Sequence, residues 1–315
     1  MYSLRSLSKL GYLKTPLLTL AGTMLCLFIL FHTIAGDPSY LLAGKGASQA
    51  EILRIRMQLG LDLPWYQQLV MFFTRMLTLN FGESWSTREP INELLKSRLP
   101  ATLTLLLPLL TLETIIALGL AIIVARVRGS LTDRMISGVC TAAMSVSLLV
   151  YILLGQYWLA YRLELFPVQG WGETWYESLK YVILPVILGI IVSLAPNLRL
   201  YRSILVEAMN YDYVRTARAN GLSEMRVMVH VLRNALIPIS TYLIQQLPGL
   251  LTGAFLLERF FSIPGMGKEV LLAVERSDLP VLEAVTFYVA LATIVCTILA
   301  DLVYTKADPR VRITS

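Results

Sequence analysis

The sequence predicts an all-α polytopic membrane protein with six transmembrane helices, and three observations carry that prediction. Apolar residues make up 56% of the 315 residues and charged residues only 15%, against about 45–50% and about 25% in soluble domains. The mean hydropathy is +0.65. The apolar residues gather into six runs, each near the roughly 17–25 residues that a membrane-crossing helix needs. Such a chain is neither soluble and globular nor disordered. The stretches between the runs leave no room for a nucleotide-binding domain.

The first run is Thr15–Thr33. Its basic lead (Arg5, Lys9, Lys14) resembles a signal peptide, but the run exceeds the usual length of about 7–15 residues, so an uncleaved anchor is expected rather than cleavage near Ala35. His32 at its outer end fits the headgroup level. The stretch 36–100 mixes charged and apolar residues, notably 59–66 and 65–79, and suggests short amphipathic helices on the membrane surface. The second run, Ala101–Ala125, carries Glu113 near its middle. A charge there costs about 2.5–3.5 kcal/mol on insertion scales, so Glu113 is expected to face the bundle interior. It lines a translocation path, makes a structural hydrogen bond to another helix, or sits there as a protonated acid. The third run, Met135–Tyr161, contains Gln156 and ends in Tyr157, Trp158 and Tyr161, an interfacial belt. The fourth is Tyr181–Tyr201, the fifth Leu236–Leu257 and the sixth Val281–Tyr304. Pro108, Pro185, Pro196 and Pro248 lie inside runs, which membrane helices tolerate because neighbours re-satisfy the freed backbone groups. Glu283 and Asp301, near span ends, are expected at the interface or in solvent.

With six spans, the termini and the second and fourth loops share a side. That side holds 15 of the 27 Lys and Arg residues. The other side's basic residues are offset by 13 acids, and most lie in the 36–100 stretch, too long to count strongly. The positive-inside rule puts both termini in the cytoplasm. It also explains the net charge of +6 without nucleic acid. Cys26, Cys140 and Cys296 lie in apolar runs without metal or redox spacing, and His32 and His230 are the only histidines, so neither a disulfide framework nor a metal site is expected.

The cytoplasmic segment 199–238 is not loop-like. Asp212 can N-cap a short helix beginning at Tyr213. Gly221 can supply its left-handed stop, with Leu222 as the apolar follower. Ser223 can cap a second helix, with Glu224 near its positive end, that returns to the membrane. Ala217, Ala219 and Gly221 permit close approach by another surface, and Arg215 and Arg218 lie three apart on one face. A rigid protrusion of this kind suits docking into a partner; the alternative is a solvated loop that only orients the helices.

Tyr213-Val-Arg-Thr-Ala-Arg-Ala-Asn-Gly-Leu-Ser223, followed by Leu232-Arg-Asn-Ala-Leu-Ile-Pro238, resembles the coupling loop of ABC-importer permeases, in its oligopeptide/dipeptide variant. The general pattern is Glu-Ala-Ala, three residues, Gly. Here those positions are Arg215, Thr216, Ala217 and Gly221, so Glu and the first Ala are replaced. Further segments resemble the family in order along the chain: Gly36-Asp-Pro38, Leu59-Gly-Leu-Asp-Leu-Pro64, Asn80-Phe-Gly-Glu-Ser84, Arg98-Leu-Pro-Ala-Thr102, Phe166-Pro167, Ile263-Pro-Gly-Met-Gly267 and Asp308-Pro-Arg310. Together they resemble the B-type chain of the two permease subunits.

The resemblance implies a type I importer bundle in the bacterial plasma (inner) membrane. Residues 1–95 would hold the first helix and the extracytoplasmic amphipathic segment. Residues 96–304 would form the permease domain, with a coupling loop over about 204–235, and 305–315 a cytoplasmic tail. It implies a sister permease, two cytoplasmic ATPases and an extracytoplasmic binding protein as partners. It also implies ATPase coupling through Asp212, Tyr213, Arg215, Thr216, Ala217, Arg218, Gly221 and Leu222. The chain lacks the Gly-x4-Gly-Lys-Ser/Thr pattern, so it is expected to be no enzyme and to bind no cofactor, with ATP-Mg on the partners. Peptide is the implied cargo; nickel, antimicrobial peptides or sugars are alternatives on the same architecture. A stand-alone secondary transporter would show internal repeats, and none is seen. An intramembrane hydrolase would need a base beside a membrane serine, and neither histidine is placed for that.

Overall fold

The computed structural model describes residues 4–33, 37–44, 46–249 and 254–307. Among them the chain is built from α-helices, with one isolated β-bridge between Glu83 and Pro90. The helices are α1 (Leu4–Thr33), α2 (Pro38–Ala43), α3 (Gln49–Gln58), α4 (Trp65–Leu77), α5 (Ile91–Arg126), α6 (Leu131–Met144), α7 (Leu148–Gly155, continuing as a π-helical turn over Gln156–Arg162), α8 (Trp175–Ala208), α9 (Asp212–Ala219), α10 (Glu224–Gln246), α11 (Phe255–Phe260), α12 (Met266–Glu275) and α13 (Leu279–Ala307). Local chemistry sets several starts. Asp37 caps α2 by accepting from Ser39 N at 3.0 Å, with Pro38 at the first helical position. Ser48 and Glu51 form a reciprocal capping box on α3.

Among the described residues four helices are long and apolar enough to cross a membrane: α5, α8, α10 and α13. The α6–α7 pair makes a fifth if it counts as one crossing, and α1 contributes a shorter apolar stretch, Pro16–Phe31. Two expected spans are corrected. The third is not one straight helix, because α6 and α7 meet at 87°. Ser147 restarts the helix by accepting from Leu149 N, Ser145 Oγ donates to Thr141 O, and Tyr151 OH donates to Ala143 O. Side chains thus replace the backbone bonds lost at the break. The fifth run does not extend unbroken to Leu257. Its helix stops at Gln246 before Pro248, which cannot donate, and Phe255–Leu257 belong to α11. Hydroxyls inside the apolar helices are satisfied locally: Thr104, Thr111, Thr141 and Ser193 each donate to the carbonyl four residues back.

The chain divides into two compact units. Among the described residues, one comprises those up to 97 with 269–295, and the other 98–268 with 296–307. In the first unit, Phe81 packs on Phe287 and Tyr288, with ring centroids at 5.8 and 5.2 Å. Asp278, 1% exposed, accepts from Ser84 Oγ at 2.6 Å, Trp85 N at 3.1 Å and Ser86 N at 3.0 Å. One buried carboxylate therefore fixes the loop after Phe81.

The second unit has two main cores. One joins Leu105, Ile152, Leu184, Leu188, Phe261 and Ile263. There Gly155 lies so close to Leu188, and Gly189 to Leu109, that a Cβ at either glycine would collide with the leucine. The other core joins α5, α8, α9 and α10 through Ala117, Ala121, Tyr201, Leu205, Val214, Val231 and Ile239. Asp133 near the start of α6 is held by Arg202 of α8 in a two-pronged pair, Nε at 2.8 Å and Nη2 at 2.6 Å.

Candidate functional site

The protrusion read from the sequence is present as α9, a tight turn and the start of α10. Its entry differs from expectation. Tyr211, not Asp212, holds the extended N-cap position (φ −74°, ψ 154°), and no side chain caps the helix. The Tyr211 ring stacks on Tyr213 with centroids at 6.2 Å, and the Tyr213 hydroxyl donates to Ala208 O at 3.1 Å. These contacts fix the approach from α8. Asp212 sits in the first turn, where its charge favours the positive helix end, and its exposed carboxylate pairs with Arg215 at 3.7 Å.

The exit matches the glycine reading. Gly221 has φ +78°. Its N–H donates to Arg218 O at 2.9 Å, and Leu222 N–H donates to Ala217 O at 3.2 Å. These are the two bonds of the Schellman motif. Ser223 takes the N-cap position of α10 but makes no side-chain cap bond, which corrects the second expected cap. Glu224 in the first turn of α10 is instead held from across the turn by Arg218, whose Nε and Nη2 donate at 2.9 and 3.1 Å. Arg218 is thus a strap between the two helices rather than a partner of Arg215 on a free face.

The faces of α9 separate cleanly. Val214 is fully buried in the core shared with α5, α8 and α10, and Tyr213, Ala217 and Leu222 pack against that core half-buried. Asp212, Arg215, Thr216 and Ala219 are exposed and form one stripe at helical spacing. Ala217 therefore faces inward, and the exposed small residues are Ala219 and Gly221. A Cβ built on Gly221 meets nothing within 4 Å, so its surroundings within this chain are open.

Glu113 is enclosed. It is 1% exposed, and its Oε1 accepts from Asn197 Nδ2 at 2.9 Å. Asn197 Oδ1 accepts from Tyr242 OH at 2.7 Å. The chain of bonds ties α5 to α8 and α10.

Sequence reasoning missed one buried acid. Glu258 of α11 is fully buried. It accepts from Thr102 Oγ1 at 2.8 Å and Lys268 N at 2.9 Å, while Thr102 Oγ1 accepts from Met266 N at 2.7 Å. The carboxylate lies at the N-terminus of α12, where free N–H groups and the helix dipole favour a negative charge. Burial pushes its carboxyl up and those hydrogen bonds pull it down. A Cβ on Gly265 would run into the carboxyl group of Glu258, so the 263–267 motif admits only glycine there. An acid just ahead of a glycine-rich turn and a helix start was the available signal. Among the described residues no three His, Cys, Asp or Glu side chains gather as a metal site. His32, Gly36 and the Asp308-Pro-Arg310 segment fall outside the residues or side chains described.

Residues 117–313, more than half of the chain, match the profile of the family described as binding-protein-dependent transport system inner membrane component. This chain belongs to that family. Residues 14–106 match the N-terminal profile of the same transport-system membrane components. The dipeptide transport system permease protein DppB of Escherichia coli strain K12 is 32% identical over 93% of this chain and 95% of its own length. The same strain's "Probable D,D-dipeptide transport system permease protein DdpB" is 34% identical over 93% of this chain and 94% of its own. The binding-protein-dependent permease component described here is thus an ABC-importer permease with a helical, multi-pass membrane architecture. The protrusion, Asn197 and Tyr242 fall within residues 117–313, and Glu113 lies between the two matched segments.

Proposed function

We propose that this chain is one of two sister permease subunits of an ATP-driven importer of peptides, oligopeptide or dipeptide. The peptide cargo is supported by the names of its relatives. In this reading two cytoplasmic ATPase subunits carry ATP-Mg and do the hydrolysis, an extracytoplasmic binding protein delivers the cargo, and the chain itself is not an enzyme. Both termini lie in the cytoplasm, as the distribution of Lys and Arg favours. Residues 1–95 form the anchor and extracytoplasmic segment, 96–304 the permease domain, and 305–315 the tail.

The coupling element is α9 with its turn. The observation that carries this role is the division of its faces. The outward stripe Asp212, Arg215, Thr216 and Ala219, with Gly221 beside it, is open to a partner. The inward Val214 is locked into the core of three membrane helices. A segment exposed on one side and continuous with the bundle on the other can pass ATPase closure to the helices. Tyr213, Ala217, Arg218 and Leu222 hold its shape.

The test is purification of the tagged chain in mild detergent, mass spectrometry of what accompanies it, and peptide uptake in proteoliposomes. A second polytopic permease, Walker-bearing ATPases and ATP-dependent uptake are expected. A chain that transports alone, without ATP, would overturn the reading in favour of a secondary transporter.

A further inference from the structure

The first unit carries a half-open cavity of about 980 Å³ for which transport coupling provides no use. One wall is aromatic: Phe28 and Phe31 from the end of the first apolar run, and Phe72 of α4, whose ring centroid lies 5.7 Å from that of Phe28. The lining also carries three guanidinium groups, from Arg56, Arg75 and Arg88, and three carboxylates, from Asp37, Glu83 and Glu283. Arg56 is paired with Asp37 at 3.6 Å, and Arg75 interacts electrostatically with Glu283, which is half-buried in the same lining rather than at a solvated span end. Arg88 is exposed at the mouth of the lining, and its guanidinium makes no hydrogen bond or ion pair among the described residues.

Arg88 is also held in an unfavourable backbone conformation. Its φ is +61°, a left-handed geometry that costs a non-glycine residue about 1–2 kcal/mol. The loop imposes it. Arg88 N donates to Ser84 O at 3.0 Å, Ser84 N donates to Glu89 O at 2.9 Å, and the Asp278 carboxylate fixes Ser84, Trp85 and Ser86. Backbone strain maintained by its surroundings is found at ligand clamps.

We propose that this cavity binds one phospholipid of the surrounding leaflet, with its phosphate on Arg88 and an acyl chain against Phe28, Phe31 and Phe72. A lining that holds both aromatic rings, two of them from α1, and a cation without a protein partner among the described residues combines the two chemistries of an amphiphile. The guanidinium fork matches phosphate geometry. Free phosphate would leave the aromatic wall unused, and so would the carboxylate of a short polar peptide. The proposal rests on the membrane placement of the family and not on cargo or coupling, so lipid retention and transport can fail separately.

The assembled importer is reconstituted in nanodiscs of phosphatidylethanolamine and phosphatidylglycerol, released into detergent and followed by native mass spectrometry during delipidation. The wild type should keep one phospholipid per copy of this chain. Arg88→Glu and Arg88→Gly should each keep it at least about tenfold less, the effect of losing roughly 1.4 kcal/mol, and Arg88→Lys should fall between. Arg88→Gly suits the left-handed backbone, so it keeps the test valid if the charge reversal misfolds. Retention in Arg88→Gly equal to wild type would overturn the proposal. So would displacement of the lipid by a dipeptide, which would make the cavity a cargo subsite. Inorganic phosphate competing as well as lipid would also overturn it, because the acyl chain would then contribute nothing.

Discussion

Gly221 separates what the chain does to itself from what a partner does to it. Its φ of +78° means that any L-residue with a Cβ is strained there, by about 1–2 kcal/mol for an ordinary side chain. Asparagine tolerates this geometry better. Apart from Gly221 and its chain neighbours, no atom of the described residues lies within 4 Å of the added Cβ, so bulk adds no clash from inside the subunit at that point. Gly221→Ala, Gly221→Asn and Gly221→Trp then form a graded set. Thermal unfolding of the purified permease should rank asparagine above alanine, with tryptophan close to alanine. Co-purification of the ATPases and ATP-driven uptake should rank differently: near normal for asparagine, reduced for alanine by the strain alone, and lost or uncoupled for tryptophan. The gap between alanine and tryptophan isolates the docked surface, because the backbone strain is common to both. If Gly221→Trp retains ATPases and transports as well as Gly221→Ala at equal expression, α9 is not the docked element.

Other substitutions probe the frame behind it. Gly265→Ala should cost about 1–3 kcal/mol by overpacking against Glu258, and Glu258→Gln should lower the melting temperature by placing an amide N–H₂ among donors. A Gly265→Ala chain that melts with the wild type would refute the close approach. Arg202→Ala should cost about 1.5–3 kcal/mol, the worth of hydrogen bonds to a charged group; Arg202→Lys should restore part of it in the same melting assay. Tyr242→Phe should cost about 0.6 kcal/mol, the mean for interhelical hydrogen bonds in a membrane protein, and Glu113→Gln should leave peptide uptake and its substrate range unchanged, since the buried amide can still accept from Asn197. A changed cargo range in Glu113→Gln would restore a path role for that residue.

Most of the architecture was legible because membrane helices are written in composition and run length. The long helices α5, α8 and α13 extend past their apolar runs but contain them. Where the sequence misled, local polar chemistry was the cause. Ser145 and Ser147 look innocuous in an apolar run, yet their hydroxyls make an 87° break tolerable by serving the backbone groups it frees. Pro248 resembled the kinking prolines at Pro185 and Pro196, which lie inside α8, but it ends its helix. At the protrusion, Gly221 was readable because a left-handed stop requires a particular residue. The caps were not, because Asp212 and Ser223 have alternatives: an ion pair with Arg215 for the first, and a strap from Arg218 to Glu224 beside the second. Glu258 had only a local signal, the glycine-rich turn and helix start behind it, and Asp278 had none, because their partners Thr102 and Ser84 lie far away in sequence.

The fully buried Val214 has a mechanical consequence. Its side chain shares one packed interior with residues of α5, α8 and α10, and protein interiors have low compressibility. A segment tethered only by its ends would absorb a push as slack. Here the turn is closed by two backbone bonds and an ion pair, and the helix is keyed into its neighbours, so little slack exists. In the proposed coupling role, a displacement imposed on α9 would therefore pass to the three helices it packs against rather than being absorbed in the turn. Softening that one valine contact would lengthen the lost motion before the helices respond, without altering any surface a partner touches.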